Sequence, residues 1–440
     1  TQQETLFPYT TLFRSQSIPF LISYNAENSY GIYFDNSYKS FFDLGSEGQD
    51  YYSFWAEGGD LDYYFFNGPS LKDVIQKYSQ ITGTMPLPPK WSLGYHQSRY
   101  SYYPQAEVDE LVKTFRDKEI PCDAFHFDIH YMDDYKIYTW DEDRFPDPEA
   151  MLKNMAENGI KGVTIIDPGV KRDPEYKLYQ EGMENDYFCK YLDGKVFIDK
   201  VWPGKCAFPD FTQSKVRNWW AGLQKDFVDI GIKGIWNDMN EPAAFNDTDT
   251  MDVNVMHQND GDSGTHRRFH NLYGFLEDKA TFEGLKESLD NERPFVLTRA
   301  GFAGIQRYSA VWTGDNRSFW DHIKLAVPML MNLGMSGVAF CGTDVGGFTG
   351  NSNGELLTRW TQLGAFVPFF RNHCEVRAIS QEPWSFGEKY EEIIKEYIEL
   401  RYKLITHFYN LFYQASETGI PVMRPLIMEF PQDKECQNLS

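Results

Sequence analysis

The chain has 440 residues, with 64 acidic and 42 basic side chains and a formal net charge of −22. This length allows a large core and more than one domain. The negative charge disfavours nucleic acid or an anionic membrane as a partner. Aromatic residues make up 17% of the chain. Such rings stack on the apolar faces of sugars, although they also pack in ordinary cores.

The six cysteines are scattered, without a CxxC pair, which favours a reducing compartment. No apolar stretch reaches the length of a membrane-spanning helix, and no signal peptide is seen, so a cytoplasmic location is expected. Residues 5–15 read TLFPYTTLFRS, which resembles a translated sequencing adapter. Residues 1–15 are therefore interpreted as non-native, and the sequence is interpreted as a fragment that lacks its native N-terminus and further C-terminal residues.

Residues 16–86 are predicted to be the remainder of an N-terminal antiparallel β-sandwich with a linking helix. Aromatic and β-branched residues alternate with polar ones in PFLISYN, YGIYFDN, KSFFDLG and LDYYFFNG, with Asn, Gly and Asp at the turns. The spacing from Leu71 to Tyr78 is helical. Pro86, Pro88 and Pro89 then form a stiff domain border.

Residues 87–418 alternate between strand and helix, which fits a (β/α)8 TIM barrel in the α/β class better than an open sheet. The predicted strands are Leu93–His96, Ala124–Phe127, Gly162–Ile166, Gly234–Asn237, Phe295–Thr298, Ala310–Trp312, Gly337–Phe340 and Ala365–Phe369. The predicted helices include Gln105–Lys118, Pro148–Asn158, Lys215–Asp229, Phe319–Leu333 and Glu388–Ser416.

Two further segments complete the predicted organisation. The stretch at about 167–211 is too long for a plain βα loop and is predicted to be an inserted subdomain near the site. Residues 419–440 include GIPVMRPLIMEFP, which predicts a return to strand and the start of a C-terminal β-domain.

Polar groups follow several of the predicted strands. Because the strand ends of a barrel meet at one face, these groups should line a common pocket. Packing alone explains such a set poorly, since each buried unpaired charge costs several kcal/mol. The residues are Asp128, Asp167, Asp238, Arg299, Asp315 and His373.

Several chemistries are excluded by the motifs. The sequence has no HExxH, no Cys/His metal spacing, no Walker loop, no GxGxxG after a strand and no GxSxG. His266 and His270 stand four apart in a basic segment without a carboxylate, so no metal and no cofactor is expected. A pair of carboxylates in an aromatic pocket remains, and such a pair can catalyse glycoside hydrolysis.

The motifs as a set resemble glycoside hydrolase family 31, and within it the α-glucosidases. They are FHFDIHYM, KVWPG, GIWNDMNEP, RAGFAGIQRYSAVWTGDN, GTDVGGF and PFFRNH, in that order. The resemblance extends from about residue 17 to the end. It implies an exo-acting enzyme that releases terminal non-reducing α-linked glucose from a small oligosaccharide with retention of configuration.

The resemblance also implies roles for two aspartates. Asp238 matches the nucleophile and Asp315 the general acid/base. Retention needs their carboxyl groups about 5–5.5 Å apart, which requires the barrel to fold. The pKa of Asp315 is expected to be raised by burial beside Trp312 and by the charge of Asp238, whereas Asp238 is expected to stay ionised with help from Arg299.

The remaining site residues are also carried over from the resemblance. Asp128, Arg299 and His373 match groups that bind the sugar's hydroxyls, and Tyr100 matches a position that discriminates substrates. Asp344 and Glu241 match supports that orient Arg299 and the nucleophile loop. The matching walls of the sugar subsite are Ile165, Trp202, Trp236, Trp312 and Phe348.

One departure and three alternatives accompany this hypothesis. His130 stands where many members of the family carry a second Asp. Within the family, an α-xylosidase or an α-transglucosylase is an alternative activity. Outside catalysis, the chain could be a sugar-binding protein that does not turn over substrate.

Overall fold

The computed structural model describes residues 15–24, 28–46, 48 and 51–437. At its centre, eight parallel strands form a closed barrel. Each strand pairs with the next along the chain, and the eighth pairs with the first through Phe370 and Tyr95, which confirms the predicted TIM barrel. The strands, β1 to β8, are Tyr95–Arg99, Ala124–Phe127, Lys161–Ile166, Ile232–Asn237, Val296–Thr298, Ala310–Trp312, Cys341–Val345 and Phe369–Asn372.

Nine α-helices occur in the described residues. Their starts follow ordinary capping chemistry: Ser70 and Asp73 form a capping box, and the Asn353 side chain accepts from the Leu356 amide. The predicted helices are all present, with ends shifted by a few residues. The helices, α1 to α9, are Leu71–Thr82, Gln105–Asp117, Pro148–Glu157, Lys177–Glu184, Ser214–Asp229, His266–Ser288, Trp320–Met335, Gly354–Gly364 and Glu388–Thr418.

Three strand predictions were displaced toward the N-terminus. The apolar run at 337–340 is buried but precedes β7, and most of the run at 365–369 precedes β8. The first strand also begins later than predicted, at Tyr95. The strands themselves carry polar side chains into the barrel, such as Asp344 and Arg371, both fully buried. For these three strands, apolar character therefore indicated the segment that leads into the strand instead of the strand itself.

The barrel lacks an α-helix between β5 and β6, where the short strand Gly301–Phe302 and the 3₁₀ turn Ile305–Arg307 intervene. Helix α1 packs there instead, since Val74 and Tyr78 share a buried apolar cluster with Phe302. The Gln306 side chain also donates to the Gly83 carbonyl at 2.8 Å. The N-terminal part thus supplies a helix that the barrel's own repeat omits.

The N-terminal part also contains the predicted antiparallel sheets. One has three strands, and the hairpin Ser40–Asp43 with Ser53–Ala56 forms the other. Gln16–Ser17 pairs in parallel with Gly301–Phe302 after β5. The non-native interpretation of residues 1–15 falls outside the described residues, apart from Ser15. The three-stranded sheet consists of Phe20–Ser23, Tyr30–Phe34 and Tyr63–Asn67.

Between β3 and α5, the chain forms α4 and a three-stranded antiparallel sheet of Val170–Lys171, Ile198–Val201 and Gly204–Ala207. The predicted return to strand after α9 was wrong for the described residues. Residues 419–437 contain the 3₁₀ turns Leu426–Met428 and Glu435–Gln437 and no strand. The domain assignments remain predictions. Across the described residues, no helix is long and apolar enough to cross a membrane.

Candidate active site

A cavity of about 950 Å³ opens beside the carboxyl ends of the barrel strands. Its walls include Glu241, Arg299, Trp312 and Asp315. The predicted residues outside its lining include the buried Asp128, Ile165, Trp236, His373 and Asp344, and also Asp238, Tyr100, Trp202 and Phe348. The structure therefore brings four of the predicted residues to the cavity wall and places the others outside its lining.

Asp238 follows β4 and lies behind Arg299, with 16% of its side chain exposed. Its Oδ1 accepts from the Met239 amide at 2.8 Å and lies 3.3 Å from Arg299 Nη1. Met239 has a φ of 55°, a backbone conformation that costs about 1–3 kcal/mol in a residue other than glycine and is typical of functional sites. The turn thus fixes the orientation of the Asp238 carboxyl.

The pKa of Asp238 is raised above its ordinary value because the carboxyl is buried. Arg299 lowers this pKa, as the sequence predicted, but burial outweighs the guanidinium. Glu241 adds a second negative charge and raises the pKa further. Arg299 therefore opposes the protonation of Asp238 that burial and Glu241 favour.

Asp315 follows β6, and its side chain is exposed to the cavity. Protein encloses the carboxyl on its other sides, and this burial raises its pKa to about 7. Arg299 opposes the shift, whereas the charges of Asp238 and Asp344 add to it. The raised pKa was predicted from Trp312 and Asp238. The contribution of the Asp238 charge to the pKa of Asp315 indicates that the two carboxyl groups lie within electrostatic range of each other.

Arg299 is held by two parallel hydrogen bonds to Glu241. Its Nε donates to Glu241 Oε1 at 2.8 Å, and its Nη2 donates to Oε2 at 3.0 Å. Such a fork fixes the guanidinium plane. Glu241 thus contacts Arg299 as the resemblance implied, and Arg299 Nη1 is left to face Asp238.

Asp128 and His373 form a second polar group. His373 Nε2 lies 3.8 Å from Asp128 Oδ2, and His373 Nδ1 is bonded to Ser98 Oγ at 2.7 Å. Burial lowers the pKa of His373 well below its ordinary value, so the ring is neutral. Phe348 stacks on this ring with centroids 4.9 Å apart. A carboxyl group and a ring nitrogen therefore stand side by side, and such a pair can form hydrogen bonds with hydroxyl groups.

Trp236 and Trp312 enclose a buried guanidinium that the sequence reasoning missed. Arg371, on β8, lies 4.6 Å above the Trp236 ring and 5.2 Å from the Trp312 ring. Its Nη2 donates to Asp344 Oδ1 at 2.7 Å. Asp344 thus pairs with Arg371 and not with Arg299, which corrects the prediction. The motif PFFRNH contained the signal, since an Arg inside a barrel strand requires a buried partner.

Tyr100, His130 and Trp202 belong to an aromatic group beside the insert. His130 lies between Tyr100 and Tyr103, with ring centroids 5.2 Å and 4.8 Å away. Trp202 is exposed, and its ring centroid lies 6.0 Å from that of Tyr100. Ile165, in contrast, is buried in β3, and its carbonyl accepts from Tyr131.

A second missed residue is Asn316, which directly follows Asp315. Its Nδ2 donates to Thr343 Oγ1 at 2.6 Å and to the Asp344 carbonyl at 3.0 Å. Its Oδ1 accepts from the Phe348 amide at 2.8 Å. Asn316 therefore joins the loop that carries Asp315 to the loop after β7.

The two halves of the Asp344–Arg371 pair should contribute unequally to stability. Asp344→Asn leaves a guanidinium that cannot lose its proton, so we expect the free energy of unfolding to fall by about 3–5 kcal/mol. Arg371→Met leaves Asp344, whose pKa burial already raises to about 6, and this carboxyl can take up a proton. The loss should then be smaller.

Urea unfolding at pH 7 measures both losses. As a control, the exposed Lys225–Asp229 pair on α5 should change stability by no more than about 0.5 kcal/mol when Lys225 is replaced by Met. An equal or larger loss for Arg371→Met would contradict the ordering.

One group of side chains in the described residues has the spacing of a metal site. The ligand atoms of Cys189, Asp210 and His257 all lie within 4.8 Å of one another. His266 and His270 are hydrogen-bonded to each other at 3.0 Å. The expectation of no metal remains a prediction.

Comparison with known proteins adds a family to this geometry. The model described as "Glycosyl hydrolases family 31 TIM-barrel domain" matches residues 85–411. "Alpha-glucosidase 2" of Bacillus thermoamyloliquefaciens is 58% identical over 424 residues, which are 96% of this chain and 54% of that protein. The chain thus spans about half the length of such curated relatives.

Solved structures agree with the barrel. The glucosidase II alpha subunit, solved with Glc1Man2 bound, has a TM-score of 0.90 and 37% identity over 96% of this chain and 47% of its own. A family 31 alpha-glucosidase from Bacteroides thetaiotaomicron has a TM-score of 0.87 and 41% identity, over 96% of this chain and 69% of its own.

Proposed function

Because the chain belongs to glycoside hydrolase family 31, we propose that it acts as a retaining, exo-acting α-glucosidase on small oligosaccharides. The observation that carries this proposal is a pair of carboxyl groups, those of Asp238 and Asp315, which share Arg299 but differ in environment. Arg299 contacts Asp238 at 3.3 Å, whereas Asp315 faces the cavity with its pKa raised to about 7. Two acids with separated roles are what double displacement needs.

In the first step, Asp238 attacks the anomeric carbon while Asp315 gives its proton to the departing oxygen. The glycosidic bond breaks, and a β-linked glucosyl ester forms on Asp238. In the second step, Asp315 removes a proton from water, whose oxygen attacks the same carbon and releases Asp238. Two inversions restore the α configuration. Asp128 and His373 would bind hydroxyls of the terminal glucose.

The names of the relatives support glucose as the sugar, since the curated match is called an alpha-glucosidase. Comparing matched aryl α-glucosides and aryl α-xylosides tests this choice. Faster turnover of the glucoside supports the proposal, and preference for the xyloside would reject it in favour of an α-xylosidase.

The pH dependence of kcat/KM tests the acid/base assignment. Asp315 must be protonated to act first as an acid, so activity should fall as pH rises through about 7, where burial places its pKa. Activity should also fall at low pH, as Asp238 takes up a proton. This fall should occur at a pH above about 3.9, the ordinary pKa of an Asp side chain, because burial raises the pKa of Asp238.

An α-glucosyl fluoride provides the internal control for this profile. Fluoride leaves with little protonic assistance, so the fall at high pH should weaken for this substrate and persist for a disaccharide. The same fall for both substrates would show that a group other than Asp315 sets it.

A further inference from the structure

A line of hydrogen-bonded side chains joins the insert to the cavity wall. It starts at Asp210, whose Oδ1 lies 3.0 Å from His257 Nδ1. His257 Nε2 lies 2.9 Å from His266 Nδ1, and His266 Nε2 lies 3.0 Å from His270 Nδ1. Asp210, His257 and His266 are fully buried. We refer to these four residues as the histidine relay.

At the buried end of the relay, the Asp210 carboxylate accepts hydrogen bonds at both of its oxygens. Thr212 Oγ1 donates to Asp210 Oδ1 at 2.6 Å, and the Gln258 amide and Gln213 Nε2 donate to Oδ2 at 2.8 and 3.1 Å. Burial alone would raise the pKa of Asp210, but His257 and the hydrogen bonds from Gln258 and Thr212 hold the pKa below the ordinary value. Both oxygens of the Asp210 carboxylate therefore have hydrogen-bond donors besides His257.

If His257 is a neutral ring, an ionised Asp210 determines which nitrogen of every ring in the relay carries the proton. A carboxylate only accepts, so His257 must donate through Nδ1, which leaves its Nε2 as an acceptor. His266 must then donate through Nδ1 and accept at Nε2. His270 must likewise donate through Nδ1, and its Nε2 is left with a lone pair.

The other end of the relay lies at the cavity. The His270 ring contributes to the wall beside Glu241 and Arg299. Helix α6 reaches this wall because Gly274 has no side chain: an added Cβ would lie 2.6 Å from the Asn240 carbonyl oxygen. Nε2 lies on the ring edge away from His266. Among the hydrogen bonds of the described residues, His270 makes only the one to His266.

We propose that His257 is a neutral ring and that the histidine relay thereby fixes His270 as a hydrogen-bond acceptor at the cavity wall, where its Nε2 receives a hydroxyl of the bound saccharide. Asp210, His257 and His266 are then positioning residues, and His270 is a substrate-binding residue. The saccharide part of this inference rests on the proposed function, whereas the tautomer of His270 does not.

A metal at Cys189, Asp210 and His257 would be incompatible with this arrangement. Both Asp210 oxygens already accept hydrogen bonds, and both ring nitrogens of His257 belong to the relay. A bound ion would take the Asp210 oxygen or the His257 nitrogen that begins the relay. Titration with zinc ions therefore belongs in the test.

The tautomer is tested by long-range ¹H–¹⁵N spectra of the full chain with ¹⁵N-labelled histidine. The His270 signals are those that disappear in His270→Gln. The relay predicts a protonated Nδ1 and an unprotonated Nε2 for His270, unchanged by zinc ions. A protonated Nε2, or zinc-dependent shifts at His257, would overturn the inference.

The saccharide contact is tested by a pair of substitutions that each imitate one ring nitrogen. The amide of Asn overlays Nδ1 and that of Gln overlays Nε2. If Nε2 binds a hydroxyl, His270→Asn should raise KM for maltose about tenfold, the cost of one lost hydrogen bond between neutral groups, and His270→Gln should restore most of the affinity. Little change in kcat is expected from either.

A purely structural role predicts the reverse order, since only Asn keeps the bond to His266. Equal KM values for the two variants, or a larger effect of Gln, would overturn the inference. His407→Asn, on the exposed face of α9, controls for loss of a histidine and should leave KM unchanged. If the unsubstituted chain releases no glucose, the proposed function fails, and the spectra alone decide the inference.

Discussion

Replacing Asp238 by alanine is expected to abolish turnover, with kcat/KM reduced at least about 10⁴-fold because the covalent intermediate has lost its nucleophile. The fold should survive, since Arg299 keeps both hydrogen bonds to Glu241. Glucose release from a disaccharide measures the loss, and thermal unfolding checks the fold.

A matched acidic control is available on the insert. Asp193 is exposed and contacts only its neighbour Lys195 among the ion pairs of the described residues. Asp193→Ala should leave kcat/KM unchanged. Unchanged glucose release by Asp238→Ala would reject the assignment of the nucleophile.

Replacing Asp315 by alanine should produce a loss that depends on the leaving group. For a disaccharide, the departing oxygen needs a proton, and we expect kcat/KM to fall about 10²–10⁴-fold. For an α-glucosyl fluoride, the first step needs little protonation and should be much less affected. Measuring kcat/KM of the variant and the unsubstituted chain on both substrates gives the ratio of the two losses.

Asp315→Asn is the companion variant, since it keeps the size of the side chain and its place at the cavity. A comparable loss for Ala and Asn would show that the proton, and not the shape, is what Asp315 contributes. An equal loss on both substrates would contradict a role as general acid.

Local sequence patterns were sufficient to predict the arrangement of the barrel. Apolar runs followed by a polar residue indicated where β2, β4 and β6 deliver Asp128, Asp238 and Asp315. These strands are buried on both sides, so the change from apolar to charged marks the carboxyl end. Glu241 was also correctly linked to Arg299, from the resemblance.

What local patterns could not supply was the pairing of polar groups inside the barrel. Asp344 and Arg371 meet only because β7 and β8 are adjacent, and their polarity displaced the predicted strands. The histidine relay likewise joins Asp210 in the insert to helix α6, and neither segment alone identifies the other. The packing of α1 beside β5 and β6 depends on the whole barrel in the same way.

The most direct test of the two carboxyl roles is the anomeric configuration of the azide product from each alanine variant, with α-glucosyl fluoride as substrate. In Asp238→Ala, azide can attack glucose directly, with one inversion, and β-glucosyl azide is predicted. In Asp315→Ala, azide attacks the ester on Asp238 in a second inversion, and α-glucosyl azide is predicted. The same anomer from both variants, or no azide product from either, would contradict double displacement by Asp238 and Asp315.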